Sequence, residues 1–219
     1  MSAYLSLPEA SAPQPAVIVL MEAFGLVPNL KSEVDRIAGM GYVAIAPDVY
    51  HRLAPDNTAS YDDLPKAIGL MGRLSDAEFC EDMRATLDDL KRDDRVSSSS
   101  IGVTGFCMGG RLAFLSACEF PEEIKACASF YGGGIGGLLD RAAEIRCPLH
   151  LFFGQLDHFI PQEEVARIGE SLAALGVEHE IENYAGAVHG FCCQEREEFH
   201  AEAAADAWLK LEGFLAQHL

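Results

Sequence analysis

The segment Gly105-Phe-Cys-Met-Gly-Gly110 places one cysteine among glycines, directly after the β-branched run Ile101 to Thr104. A thiolate is a strong nucleophile, so a cysteine held out at a sharp turn could attack a carbonyl carbon. Small neighbours let a strand and the following helix pass closely while the nucleophile adopts a strained backbone conformation. The N-terminus of that helix would favour a thiolate and present free backbone N–H groups to the reacting carbonyl. The alternative interpretation is a buried, inert cysteine in an ordinary turn.

A cysteine nucleophile needs a base to take up its proton and an acid to orient that base. Asp157 follows the apolar run 149–153, and His189 lies in a glycine-bearing loop after the strand-like run 178–184. A nucleophile at a tight strand–helix turn, followed along the chain by an acid and then a histidine, is the order found in α/β-hydrolases. Among seven histidines, His189 alone combines this order with a position after a predicted strand. We therefore predict a triad of Cys107, His189 and Asp157.

Two further groups are predicted at the same site. Glu22 interrupts the end of the apolar run Ala16 to Met21, where an unpaired carboxylate would be costly, so we place it in the site. A solvated position on the rim is the alternative for Glu22. The oxyanion hole should combine the Met108 N–H with an N–H from the loop after the early strand, best placed at Ala23.

Strands and helices alternate along the chain, which predicts a mostly parallel sheet with helices on both faces. Ligands of such sheets bind outside the carboxyl ends of the strands, where the four predicted catalytic residues would lie. No linker, repeat or separate cap domain is evident, so residues 1–219 predict a single α/β-hydrolase domain. The polar segment 48–64 predicts a long loop that could cover the site. We also predict a loop at Ser97 to Ser100 and a closing helix from about Glu195 to Gln217.

The net charge and the number of cysteines indicate which partners and which cellular environment the chain suits. The chain carries 34 acidic against 16 basic residues, a net charge of -18, which argues against nucleic acid and anionic membranes as partners. Seven cysteines without metal-type spacing predict a reducing, cytoplasmic environment, and no signal peptide or membrane span is evident. The glycine run 132–137 lacks the context of a dinucleotide site. We expect a small-molecule substrate, no cofactor, no metal, and a monomer or small homo-oligomer.

Taken together, these segments resemble the dienelactone hydrolase family of carboxymethylenebutenolidase-like proteins. The resemblance implies Cys107 as nucleophile, His189 as base and Asp157 as orienting acid. It also implies that the Glu22 carboxylate lies by the thiol and helps gate its ionisation. The matching segments are Met21-Glu-Ala-Phe-Gly25, Gly41-Tyr-Val-Ala-Ile-Ala-Pro-Asp48, Gly105-Phe-Cys-Met-Gly-Gly110, Gly154-Gln-Leu-Asp-His-Phe-Ile-Pro161 and His189-Gly-Phe191.

The departures from that family concern the substrate. The resemblance implies a carboxylate-binding arginine four residues after the histidine, where this chain has Cys193. A second such arginine would fall near residues 64–66, and none is present there. The resemblance also implies an aromatic pair soon after, and this chain has Ile68 and Met71 in the corresponding segment. The candidate substrate-binding residues are Phe24, Lys66, Arg73, Phe159, Phe191 and Arg196.

The favoured function is hydrolysis of a small ester or lactone through an acyl-cysteine intermediate. A broad carboxylesterase or thioesterase on the same triad is the alternative among enzymes. A non-catalytic domain that senses oxidants or electrophiles through Cys107 is the alternative outside enzymes.

Overall fold

A seven-stranded sheet runs through the computed structural model, which describes residues 1–219. The strand order is β1-β3-β2-β4-β5-β6-β7, and only the β1–β3 pair is antiparallel. This arrangement confirms the predicted α/β-hydrolase fold without a separate cap domain. The strands are β1 (Ala3–Ser6), β2 (Gln14–Leu20), β3 (Val43–Pro47), β4 (Val96–Phe106), β5 (Ile124–Phe130), β6 (Leu149–Gly154) and β7 (His179–Tyr184).

Six α-helices cover the two faces of the sheet. Ser75 begins the third helix through a capping box: its hydroxyl accepts the Glu78 N–H at 3.2 Å, and Glu78 bonds back to the Ser75 N–H. None of the helices has both the length and the apolar composition that a bilayer crossing requires. The helices are α1 (Pro28–Gly39), α2 (Leu64–Met71), α3 (Asp76–Arg92), α4 (Met108–Glu119), α5 (Gln162–Leu175) and α6 (Ala201–His218).

Two predicted boundaries are wrong. The serines at 97–100 belong to β4, because the strand begins at Val96 and accommodates them in a bulge opposite β2. The last helix begins at Ala201 and not near Glu195. His200 accepts the Ala203 N–H at 3.3 Å as its N-cap, and its own N–H bonds the Phe191 carbonyl at 3.0 Å. Residues 191–199 are therefore tied into turns that precede the helix.

The central strands are buried on both faces, as their continuous apolar runs predict. Residues 16–20 of β2 are fully inaccessible to solvent. On the side of α6, the rings of Phe130 and Phe152 stack at 4.4 Å, and Trp208 of α6 lies 6.1 Å from Phe130. This packing fixes the carboxyl ends of the strands, from which the predicted catalytic residues project.

Glu33 is a buried carboxyl group on α1. Its Oε1 accepts the Asn29 side-chain amide at 3.0 Å, whereas its Oε2 has no partner. Burial, reinforced by the nearby Glu22, raises the pKa of Glu33 well above the ordinary value of 4.5. The folded protein thus retains this proton at pH values where the unfolded chain has lost it. The free energy of unfolding should therefore fall as pH rises from about 4.5 through the raised pKa.

We expect Glu33→Gln to stabilise the fold by about 1–3 kcal/mol at alkaline pH, because the amide keeps the Asn29 bond and removes the buried charge. Thermal unfolding should show a higher Tm for the variant above neutral pH and a smaller gain near pH 4. Glu170→Gln on the exposed surface of α5 is the control, with no expected gain. An equal Tm for Glu33→Gln and the unmodified chain at all pH values would contradict this account.

Candidate active site

Cys107 occupies a sharp turn between β4 and α4. Its φ of 55° and ψ of -117° lie in a region that side-chain-bearing residues rarely adopt. The turn closes only because its flanks are glycines: a Cβ on Gly105 would overlap the Gly109 carbonyl, and one on Gly109 would overlap the Leu20 carbonyl. The Cys107 N–H bonds the Phe130 carbonyl at 3.0 Å, which anchors the turn to β5. The thiol is thus held out at the carboxyl edge of the sheet.

Asp157 and His189 lie at the same edge and form a hydrogen-bonded pair. The His189 Nδ1 is 2.8 Å from Asp157 Oδ2, with the acid side chain fully buried and the imidazole 11% exposed. The other carboxylate oxygen accepts the Phe159 N–H at 2.8 Å. Both oxygens of the acid are therefore engaged, which fixes the orientation of the imidazole.

Aromatic contacts and neighbouring charges determine the environment and the protonation state of His189. The rings of Tyr131 and Phe159 meet the imidazole edge to face at 5.2 and 5.0 Å. Burial alone would lower the pKa of His189, but the hydrogen bond with Asp157 and the neighbouring Cys107 sulfur outweigh burial and raise it to about 10. The geometry therefore favours an imidazolium between a carboxylate and the sulfur.

Glu22 is buried at the end of β2, with 4% of its surface exposed, and neither carboxylate oxygen has a hydrogen-bond partner. Burial raises the pKa of Glu22, although the positive charges of Arg196 and His189 act in the opposite direction. A rim position in solvent, the alternative for this residue, is wrong. Glu22 is an unpaired acid behind the site and not a solvated surface group.

The two amides predicted to bind an oxyanion belong to residues at the same opening. Ala23 and Met108 line the cavity that also exposes Cys107 and His189. Met108 is the first residue of α4, so its N–H has no acceptor within the helix. The Tyr50 hydroxyl donates to the Met108 sulfur at 3.1 Å and holds this side chain in place.

The cavity has a volume of about 620 Å³ and a largely apolar lining. Helix α2 and the residues after it supply one wall, and Phe24 and Phe159 contribute aromatic surface. Polar groups near the mouth are paired: Arg111 forms two bonds with Asp76 at 2.7 and 2.9 Å, and Arg196 lies 3.3 Å from Glu198. Such a cavity suits a small, mostly apolar molecule.

Comparison with known proteins assigns the chain to a family. The model of the dienelactone hydrolase family matches residues 1–219. The chain belongs to the dienelactone hydrolase family. It is 38% identical over 219 residues to a "Putative carboxymethylenebutenolidase" of Synechocystis, a match that covers 95% of this chain and 88% of the relative.

Solved structures agree with this family assignment. A "Putative Dienelactone Hydrolase" from Klebsiella pneumoniae superposes with a TM-score of 0.90 at 31% identity, covering 99% of this chain and 92% of the other. A dienelactone hydrolase-like promiscuous phosphotriesterase from metagenomic libraries shares the fold, with a TM-score of 0.83 at 24% identity, covering 99% and 92% of the two chains. This member of the dienelactone hydrolase family is a carboxylic ester hydrolase.

The structure separates the predicted substrate-binding residues of this dienelactone hydrolase family member into two groups. Phe24, Phe159 and Arg196 line the cavity. Lys66 does not line it, and its ammonium group pairs with Asp56 on the surface. Arg73 is exposed and does not line it either. Phe191 is fully buried against Tyr131 and Tyr184, so it supports the site from behind and cannot contact a bound molecule. These last three predictions need correction for that reason.

No residue of the loop from 48 to 63 lines the cavity, and Leu64, where the predicted loop ends, does so as the first residue of α2. His51 and Arg52 bond Asp82 of α3 at 3.1 and 2.7 Å, and the loop is thereby attached to the helix. Several lining residues were not predicted from sequence. The apolar residues and glycines among them carry no chemical signal, and the charged ones look like ordinary surface residues until packing brings them to the cavity. The unpredicted lining residues are Leu64, Leu74, Asp76, Arg111, Leu112, Gly133, Gly134 and Glu198.

Proposed function

We propose that this hydrolase cleaves small esters or lactones through a Cys107–His189–Asp157 triad and an acyl-cysteine intermediate. The observation that carries the proposal is the 2.8 Å bond between His189 and buried Asp157, at a cavity that also exposes Cys107 on its strained turn. We place the reaction in a reducing cytoplasm, since all seven cysteines are free thiols.

In the first half-reaction, the Cys107 thiolate attacks the carbonyl carbon while His189 holds the proton. The oxyanion forms beside the Ala23 and Met108 amides, and each such donor typically contributes about 3 kcal/mol to transition-state stabilisation. The tetrahedral intermediate then collapses, and the imidazolium protonates the departing oxygen. The alcohol, or the opened end of a lactone, is released from an acylated cysteine.

In the second half-reaction, His189 acts as the base. Acylation removes the charge on sulfur that contributes to the raised pKa of His189, so the neutral imidazole becomes accessible near neutral pH. It takes a proton from water, the hydroxide attacks the thioester, and the free acid and the thiol are regenerated. Asp157 keeps the imidazole oriented in both half-reactions.

We assign Glu22 to the control of the thiol. An ionised Glu22 carboxylate would repel the negative charge of a Cys107 thiolate and so disfavour it. A neutral Glu22 carboxyl group does not have this effect. Burial of Glu22 favours the neutral form, and its raised pKa extends this form to higher pH.

The lining of the cavity indicates the substrate class. Leu64, Ile68 and Met71 present an apolar wall along α2, where a carboxylate-binding family member would need cationic or aromatic groups. Two arginines line the cavity, and each already has an acidic partner: Arg111 pairs with Asp76, and Arg196, held over the Phe24 ring at 5.5 Å, pairs with Glu198. We therefore favour apolar acyl esters and lactones over molecules with several charges.

Ile68→Arg should shift the substrate preference from apolar esters toward substrates that carry a carboxylate. We expect kcat/KM for a butyryl ester to fall about tenfold and that for a carboxylate-bearing lactone to rise, because the new cation faces the cavity. The comparison is made from initial rates with both substrates. Leu209→Arg, on the exposed face of α6, should leave the ratio unchanged. If Ile68→Arg changed kcat/KM for both substrates by the same factor, α2 would not be the element that selects the acyl group.

The test of the proposed function is hydrolysis of p-nitrophenyl esters and lactones, combined with intact-mass detection of the acylated protein after rapid quenching. A mass increase equal to the acyl group supports the covalent intermediate. His189→Ala distinguishes a hydrolase from a thiol sensor. A hydrolase should lose ester hydrolysis in this variant. A sensor should show no hydrolysis in the unmodified chain or in the variant, while Cys107 still reacts with alkylating agents.

A further inference from the structure

A second group of chemically capable side chains lies at the opposite end of the sheet from Cys107. His150 is the second residue of β6, and its register partner on β7 is Glu180. Glu182 is two residues further along β7 and faces the same side of the sheet. We propose that His150, Glu180 and Glu182 form a binding site for a divalent transition-metal ion, with Zn²⁺ as the best fit.

The buried, unpaired imidazole of His150 indicates that a metal ion binds here. Its side chain is 4% exposed, and neither ring nitrogen has a hydrogen-bond partner. Phe152 stacks on the ring at 4.2 Å and Phe214 meets it at 5.4 Å, so the aromatic contacts fix its orientation. Buried polar groups almost always have a hydrogen-bond partner. Because the His150 imidazole has none and faces two carboxylates, its Nε2 is available to bind a metal ion.

The spacing of the ligand atoms fits a metal better than a hydrogen bond. His150 Nε2 lies 3.6 Å from Glu180 Oε2 and 3.7 Å from Glu182 Oε1, beyond hydrogen-bonding distance. Two ligand atoms bound tetrahedrally to zinc at about 2.1 Å are about 3.4 Å apart. The three atoms lie within 4.8 Å of one another, so small side-chain rotations bring them to one ion.

The surroundings leave room for the ion and orient one of its ligands. The group opens into a cavity of about 240 Å³ at the ends of β6, β7 and α6. Lys210 of α6 binds Glu182 Oε2 at 2.7 Å and Asp206 at 2.8 Å, which leaves Oε1 directed toward His150. A fixed carboxylate, a fixed imidazole and the exposed Glu180 provide three ligands, and water would complete the coordination.

One imidazole nitrogen and two carboxylate oxygens form a mixed set suited to Zn²⁺, which has no strong geometric preference of its own. The site lies away from the proposed chemistry, so its effect should be on the stability of the β6–β7–α6 edge. Sequence spacing does not predict it, because the ligands come from neighbouring strands that are far apart along the chain.

The test is calorimetric titration of ZnCl₂ into the chain carrying Cys107→Ala, so that the proposed catalytic thiol takes up no metal. We expect one saturable site and a Tm increase of several degrees with excess zinc. Glu180→Gln and His150→Gln in this background should each weaken binding at least about tenfold. Glu180 is largely exposed, so its variant will fold even if the buried histidine cannot be replaced. Glu178→Gln, an exposed carboxylate at the same cavity, is the matched control and should bind like its parent.

Cobalt distinguishes the proposed ligands from the remaining cysteines. Co²⁺ bound to nitrogen and oxygen should give visible bands without the near-ultraviolet charge-transfer band of a thiolate ligand. No saturable binding, a thiolate band, or equal zinc affinity in Glu180→Gln and its parent would overturn the proposal.

Discussion

Cys107→Ala should reduce kcat for p-nitrophenyl butyrate by about 10⁴-fold or more. The reason is specific to the geometry, since Cys107 is the one cysteine that lines the active-site cavity. Without its sulfur no acyl-enzyme can form, so the whole covalent route is lost and not merely slowed. Initial rates of nitrophenol release measure the effect, and the acyl mass increase should be absent from the variant.

Cys80→Ala is the matched control, because Cys80 is a half-buried thiol of α3 outside the cavity. It should retain the rate of the unmodified chain. Substantial hydrolysis by Cys107→Ala, with an acyl group still attached to the protein, would place the nucleophile elsewhere.

Asp157→Asn is expected to lower kcat/KM by about 10³-fold. The amide can keep contact with the Phe159 N–H but no longer carries the charge that stabilises the imidazolium. It can also donate a hydrogen bond to His189 Nδ1 and so favour the wrong tautomer. Stopped-flow measurement of the acylation rate isolates this effect from later steps.

The pH profile gives a second signature of the same substitution. In the unmodified chain the raised pKa of about 10 keeps His189 protonated through neutral and mildly alkaline pH. Removal of the carboxylate lowers that pKa, so the imidazolium should be lost at a lower pH in Asp157→Asn. We expect the alkaline limb of acylation to move downward accordingly. An unchanged limb with a uniformly reduced rate would mean that Asp157 acts only through geometry.

Local sequence signals predicted the sheet, the turn and the arrangement of its edge. Continuous apolar runs mark strands buried on both faces, and glycines around Cys107 mark a place where backbones touch. Chain order then selects Asp157 and His189, which the structure brings within 2.8 Å of each other. These inferences succeed because each depends on residues close in sequence or on a topology with few alternatives.

Most of the failures depend on contacts between distant parts of the chain. The bulge at 97–100 arises from pairing with β2, which overrides local preference. The start of α6 is an exception, because it is set by the local bond from the Ala203 N–H to the His200 imidazole. Lys66 has a charge suited to a substrate carboxylate, but its pairing with Asp56 is visible only in three dimensions. The apolar wall of α2 likewise follows from how the helix packs, and its residues look like any other core-facing positions.

The origin of the proposed catalytic groups has a consequence for how activity arises during folding. Cys107 follows β4 at the centre of the sheet, whereas Asp157 and His189 follow β6 and β7 at one edge. Contacts between segments far apart in sequence form late, because their loop-closure entropy must be overcome first. A folding intermediate that contains only the central strands would hold the elbow and its cysteine without a base. In such an intermediate the thiol would be open to modifying reagents before the protein could turn over a substrate.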